Sequence, residues 1–244
     1  MTLVEQFHSS LSSSAADLPG PELLPERLAR ACAHVLPVDG AGVSLFFAPD
    51  RRLPLGASDP GSAEAERLQF TVGEGPCLTS HARGEPVLAD EATIRSDWPS
   101  FYDALLTRTE IRSVASLPLG NGLTGVGALD LYVIPPNDIA ALDLGDAEIV
   151  AEQISSLLQT QRRPSTHPAE GPAWLDAPAA EQRSRVWQAI GFVNSGLGVS
   201  SPQALALLRA HAFAAGSSLD EIAARVVSRE ISVEELSLDA DEPR

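Results

Sequence analysis

Residues 112–134, RSVASLPLGNGLTGVGALDLYVI, decide the fold. They read as strand, turn and strand. Two runs of apolar and small residues meet at Asn121–Gly122, and an Asn-Gly pair between strand-like runs is a strong hairpin signal, because both residues accept the positive φ of a tight turn. The same period-two pattern precedes it at residues 40–58, GAGVSLFFAPDRRLPLGAS. There Val43, Leu45 and Phe47 alternate, PDRR turns the chain, and a second strand follows near Leu53 to Ala57.

The acidic segment DPGSAEAERLQF (59–70) leads into TVGEGPCLTSHARGEPVLAD (71–90), which contains a Gly-Pro turn, a short helix from about Pro76 to Ala82 and a strand at Pro86 to Ala89. DWPSFYDALLTR (97–108) predicts a further helix, with Asp97 as N-cap and Pro99 in its first turn. Two amphipathic helices flank these strands. In residues 21–36, Leu24, Leu28, Ala31, Cys32 and Val35 recur at helical spacing; in residues 145–161, Val150, Ile154, Leu157 and Gln161 form one stripe, suited to the sheet or to a second copy. Helices mixed with hairpins in this order predict an α+β domain built on an antiparallel sheet. It runs over 22–161, behind a serine-rich 1–21 that reads as a mobile leader or a loose helix.

Four prolines break regular structure between residues 162 and 179, which reads as a Pro-rich linker. Residues 180–231 carry three helix signals. Val186, Ala189, Ile190 and Val193 share one face of the first, which ends at Gly196 or Gly198. Ser201 caps the second, with Pro202 behind it and Leu205, Leu208 and Ala212 inward. Ser218–Glu221, SLDE, is a capping box opening the third, with Ile222, Val226 and Val227 inward. These predict a small three-helix bundle, and residues 232–244 an acidic tail.

All 17 basic residues are arginine, against 33 acidic residues, for a net charge of −16. A chain without lysine has no Schiff-base, P-loop or lysine-base chemistry. Nucleic-acid affinity comes largely from phosphate neutralisation, so the regional balance matters. Residues 1–160 hold 9 arginines against 22 acidic groups, whereas residues 181–231 hold 5 against 4. Any nucleic-acid contact is therefore expected in the C-terminal bundle. Two cysteines suit a reducing compartment better than a disulfide scaffold, and no membrane span or signal peptide is evident, which together predict a cytoplasmic protein. The five histidines are scattered, and no nucleophile elbow, metal motif or phosphate loop is present, so no enzyme, metal or cofactor is expected.

EGPCLTSHARGEPVLADE followed by a helix and the 112–134 hairpin resembles a GAF sensory domain of the kind found in actinobacterial regulators. RVWQAIGFVNSGLGVSSPQALALLRAHAFAAGSSLDEIAARVV (185–227) resembles the ANTAR module, the RNA-binding output domain of transcription antitermination regulators. The two matches span roughly residues 22–231, in the order GAF then ANTAR. The resemblance implies a homodimer in which a signal at the GAF domain, including a small-molecule effector, changes how paired ANTAR modules grip hairpins in a nascent transcript and prevent termination. The family's Ala-Lys-Gly triplet is Ala189, Ile190 and Gly191 here, and Gly216, Ser217 and Ser218 stand where basic residues often precede the third helix. At matching places the RNA-binding candidates are Arg185, Gln188, Arg209 and Arg225, with His211 a fifth. The alternative is a GAF-ANTAR protein with a degenerate RNA surface, serving dimerisation, protein interaction or ligand sensing. A helix-turn-helix DNA binder is disfavoured, since the second and third helices expose few base-reading side chains.

Candidates for the sensor pocket are Phe46, Phe70, Trp98, Phe101 and Tyr102, although aromatics in a sheet domain are more often core. Cys77 and His81 lie four apart on one helical face, with Cys77 near an N-terminus that lowers thiol pKa. They read either as a redox, metal or haem contact or as a buried cysteine and a surface histidine. Two ligands alone do not make a metal site. Trp187 reads as helix packing, a dimer contact or a base-stacking residue.

Overall fold

The computed structural model describes residues 1–47, 52–120, 122–160 and 172–237. The chain divides into two units, a sheet unit of Met1–Gln69 with Gly73–Ala180, and a helical unit of Phe70–Val72 with the chain from Glu181 on.

The sheet unit has the expected α+β class. Strands β1 (Gly40–Phe46), β2 (Arg52–Ala57), β3 (Val87–Ala89), β4 (Ser113–Pro118) and β5 (Gly127–Val133) form one antiparallel sheet in the order β2-β1-β5-β4-β3. The β4–β5 hairpin forms, but its connection runs from residue 119 to 126 instead of turning in two residues. Leu123 N–H donates to Gly120 O at 3.1 Å and Gly127 N–H to Leu123 O at 2.8 Å, with Gly122 at φ +86°. Asn121 and residues 48–51, which include the first three residues of the expected PDRR turn, lie outside the described residues.

Side chains alternate across a strand, so register assigns them to faces. One face gathers Val43, Leu45, Leu53, Ala115, Leu117, Leu129, Leu131 and Val133, all buried and all apolar. Helix α2 (Leu24–Val35) lies on this face, so close that a Cβ at Gly56 would meet backbone of Pro25 and Glu26. Helices α1 (Leu3–Ser13) and α7 (Leu144–Thr160) pack beside it. The leader expected to be mobile or loosely helical is thus a capped helix. Thr2 N–H donates to Glu5 Oε2 at 2.8 Å, Glu5 N–H to Thr2 Oγ1 at 3.2 Å, and Phe7 is fully buried.

The opposite face carries Gly42, Ser44, Phe46, Arg52, Ser116, Asp130 and Tyr132. Helix α3 (Pro60–Val72) reaches over it, in the acidic segment that hydrophobic periodicity leaves blank. The helix starts on a cap, Asp59 Oδ1 accepting from Ser62 N–H at 2.9 Å, and stops at Gly73, φ +80°. Its stripe toward the sheet is Ser62, Glu66 and Gln69, polar yet buried. Helix α4 (Pro76–Arg83) covers the rest, and α5 (Glu91–Asp97) and α6 (Pro99–Arg108) follow. Asp97 ends α5 and does not cap α6; Glu74 Oε1 does so, accepting from Ser100 and Phe101 N–H at 2.7 and 3.1 Å.

Of the linker expected at 162–179, residues 162–171 lie outside the described residues, as does residue 161 before it. The remainder is not loose chain. A 3-10 turn, Ala173–Asp176, buries Trp174, whose Nε1–H donates to Leu158 O at 3.1 Å.

In the helical unit, α8 (Pro178–Leu197), α9 (Ser201–Ala214) and α10 (Leu219–Val227) enclose a core of Val186, Ala189, Val193, Leu205, Leu208, Ile222 and Val226. The N-cap of α9 is Ser200 and not Ser201, its N–H donating to Gln203 Oε1 at 2.9 Å. The expected box before α10 forms, with Glu221 N–H donating to Ser218 Oγ at 3.2 Å and Ser218 N–H to Glu221 Oε2 at 2.9 Å. The start of the expected acidic tail joins this core through buried Leu236. Among the described residues no helix is long and apolar enough to cross a membrane.

Candidate functional site

The polar face of the sheet carries a buried charge network that sequence periodicity does not reveal. Arg52, at the head of β2, is 0% exposed, and its partners Glu66 on α3 and Asp130 on β5 are 2% and 0% exposed. The guanidinium donates from Nε to Ser44 Oγ at 3.2 Å, from Nη1 to Glu66 O at 2.8 Å, and from Nη2 to Asp130 Oδ2 at 2.8 Å and to Glu66 Oε2. Ser116 Oγ–H donates to Asp130 Oδ1 at 2.5 Å, and Tyr132 O–H to Glu66 Oε1 at 2.5 Å. Glycine makes this approach feasible, since a Cβ at Gly42 would run into the Glu66 carboxyl. Arginine suits the place because one planar fork reaches several acceptors at once.

Burial pushes the Glu66 carboxyl up to about 8, with Arg52 pulling it back and the charge of Asp130 pushing further. One guanidinium stands between two carboxyls, so the network holds one more acid than base.

Three of the seven sensor-pocket candidates converge beside this network. Phe46 packs with Cys77, and its ring stacks on His81 with centroids 3.8 Å apart and planes at 8°. The Arg52 guanidinium carbon lies 5.8 Å from the Phe46 ring centre. Cys77 is buried, and its N–H donates to Gln69 Oε1 at 2.9 Å. Burial raises its thiol well above the ordinary range, Arg52 opposing, so the activated thiolate read from its place on the helix is not what the fold provides. His81 is half-buried and lowered by burial and by Arg52. No group of three or more histidine, cysteine or acidic side chains able to hold a metal occurs among the described residues.

The other four lie elsewhere. Trp98 Nε1–H donates to Thr79 Oγ1 at 3.2 Å, Phe101 is core, and Tyr102 O–H donates to Glu91 Oε1 at 2.7 Å beneath Arg95. Phe70 is grouped with the helical unit and not with the sheet unit. It sits in the core of the helical unit, 3.9 Å from the Arg183 guanidinium carbon and 5.2 Å from that of Arg209.

The helical unit sorts the RNA-binding candidates by exposure. Arg185 and Gln188 are exposed on α8, with Phe192, 45% exposed, one turn further along the same stripe. Arg225 is exposed on α10, its Nε 3.8 Å from Glu230 Oε2. His211 is half-buried. Arg209 is engaged internally: Nε and Nη2 donate to Phe70 O at 3.1 and 2.8 Å. Its fork is thus committed at least in part to a main-chain carbonyl within the helical unit. Trp187 packs against the core.

The chain is similar to the GAF domain of a phosphoenolpyruvate-protein phosphotransferase from Coxiella burnetii, at 12% identity and a TM-score of 0.47, over 65% of this chain and 93% of that one. It is similar to the GAF domain of the Acinetobacter phosphoenolpyruvate-protein phosphotransferase at 15% identity and a TM-score of 0.44, over 66% and 96%. Similarity to Escherichia coli SdiA extends over 93% of this chain and 91% of that one, at 11% identity and a TM-score of 0.41. No protein-family model and no curated protein matches the chain.

Proposed function

We propose that the chain is a GAF-ANTAR regulator, in which the sheet unit receives a signal and the helical unit, as a homodimer, binds RNA hairpins to prevent transcription termination. The observation that carries the RNA reading is the exposed stripe Arg185, Gln188 and Phe192 on α8, which combines a phosphate-binding fork, an amide pair and an aromatic face. The polar face around Arg52, Glu66 and Asp130 supports the sensory reading, because charged groups are costly in a sheet core unless they serve a purpose beyond packing. The reading carries a cytoplasmic location, a small-molecule or other effector at the sheet unit, and no catalytic role.

The test is binding of the full chain to a two-hairpin RNA and to a scrambled control across a salt series. Selective, salt-weakened binding that Arg185→Ala reduces supports the reading. A second reading, protein docking through the helical unit, is favoured by Phe213, which is 85% exposed on α9. Absence of RNA binding at every salt concentration would favour it.

A further inference from the structure

We propose that the Arg52–Glu66–Asp130 network carries one exchangeable proton, and that losing it loosens α3 from the sheet, so that the polar face senses pH. This rests on the sensory reading of the sheet unit and is independent of RNA binding.

Stoichiometry comes first. Two carboxyls and one guanidinium, all at most 2% exposed, leave one negative charge over when every group is ionised. A surplus charge shielded from water is unfavourable, and a carboxyl relieves it by keeping its proton. The groups facing Glu66 are Arg52 from β2, Asp130 and Tyr132 from β5, and Cys77 from α4. β1 offers Gly42 and Ser44, and β4 offers Ser116, none of which ionises in this range. Cys77 and Tyr132 are both held in their neutral forms by burial. Among the described residues Arg52 therefore supplies the compensating charge inside the network, and His81 of α4, which stacks on Phe46, is held toward its neutral form by burial and by Arg52.

The hydrogen bonds limit where the proton can sit. Glu66 Oε2 and Asp130 Oδ2 both accept from Arg52 Nη2, and Asp130 Oδ1 accepts from Ser116. Two contacts remain for a proton on Glu66: the Asp130 carboxyl beside it, and the Tyr132 hydroxyl, 2.5 Å from Glu66 Oε1. When that proton leaves to solvent, the Tyr132 hydroxyl donates to the carboxylate and the network gains one negative charge.

The helix responds because polar groups stand in its contact with the sheet. Beside the buried Ala65 and Leu68, α3 buries Ser62, Glu66 and Gln69, and the Gln69 Nε2 donor has no partner among the described residues. A surplus charge at Glu66 acts directly on the contact between helix and sheet.

The experiment follows the urea midpoint of the full chain from about pH 5 to about pH 9, for the wild type, Glu66→Gln and Asp130→Asn. The midpoint of the wild type should fall as pH rises toward 8 and then level off. Both variants should lose that fall: the first has no proton to release, and the second leaves one carboxyl for one guanidinium. A flat wild-type profile, or a fall that persists unchanged in both variants, overturns the proposal. If the variants do not fold, carbon-13 NMR of the Glu66 side-chain carboxyl in the wild type decides. A midpoint well above the usual carboxylate range supports the proposal, and one within that range overturns it. Neither readout involves RNA, so a failed hairpin assay leaves this result standing, and the reverse also holds.

Discussion

Arg52 holds together the buried polar face of the sheet unit. Truncation to Ala strands two buried carboxyls, and breaking a buried ion pair costs about 3–5 kcal/mol, so Arg52→Ala should lower the urea midpoint sharply or abolish folding. Glu66→Gln acts in the opposite sense at high pH. Its carboxyl is raised in the folded state, so the stability it confers is complete below the ordinary value of 4.5 and disappears as pH climbs through about 8. Glu66→Gln should therefore gain on the wild type with rising pH, by on the order of 1 kcal/mol or more across that window. Cys77 and Cys32 are both buried with raised thiol pKa values, so a thiol reagent should label neither until the chain unfolds. Little of this was legible beforehand. Arg52 falls in the expected PDRR turn, Glu66 in the acidic segment 59–70 and Asp130 in a strand-like run, and none is singled out there, because charge pairing across 78 residues leaves no periodic trace. Phe46 by its ring, and Cys77 with His81 by their spacing of four, do leave a trace in the sequence, and the fold brings the three together.

At the scale of elements, periodicity succeeded where the buried face is apolar and failed where it is polar. The helices α2, α7, α8, α9 and α10 each present an aliphatic stripe, and all were legible. α3 was not, since its inward stripe is Ser62, Glu66 and Gln69; the signs that could have found it are the Asp59-Pro60 start and the Gly73 stop. Two substitutions test how tightly elements are seated. Gly56→Ala places a Cβ against the backbone of α2, which cannot swing aside as a side chain can, and should cost about 1–3 kcal/mol in thermal or urea unfolding. Ser218→Ala removes half of the capping box on α10 and should cost about 1 kcal/mol.

For the whole molecule, the proposed RNA binding predicts a salt dependence that separates contact from scaffold. Arg185→Ala should flatten the plot of log affinity against log salt by about one phosphate's worth, whereas Arg209→Ala should leave the slope alone and lower stability, because its fork is spent on Phe70 O. The reach of the buried network also has a temporal side. Arg52 meets Asp130 across 78 residues and Tyr132 meets Glu66 across 66, so these bonds require a sheet whose long-range pairings are already closed. Chain closure must precede any gain from them, which sets the network late on the folding route. Variants that weaken it should then escape the native state faster while refolding at an unchanged rate, and the grip of Arg52 on its two acids would govern how long a folded copy lasts and not how quickly a new one forms.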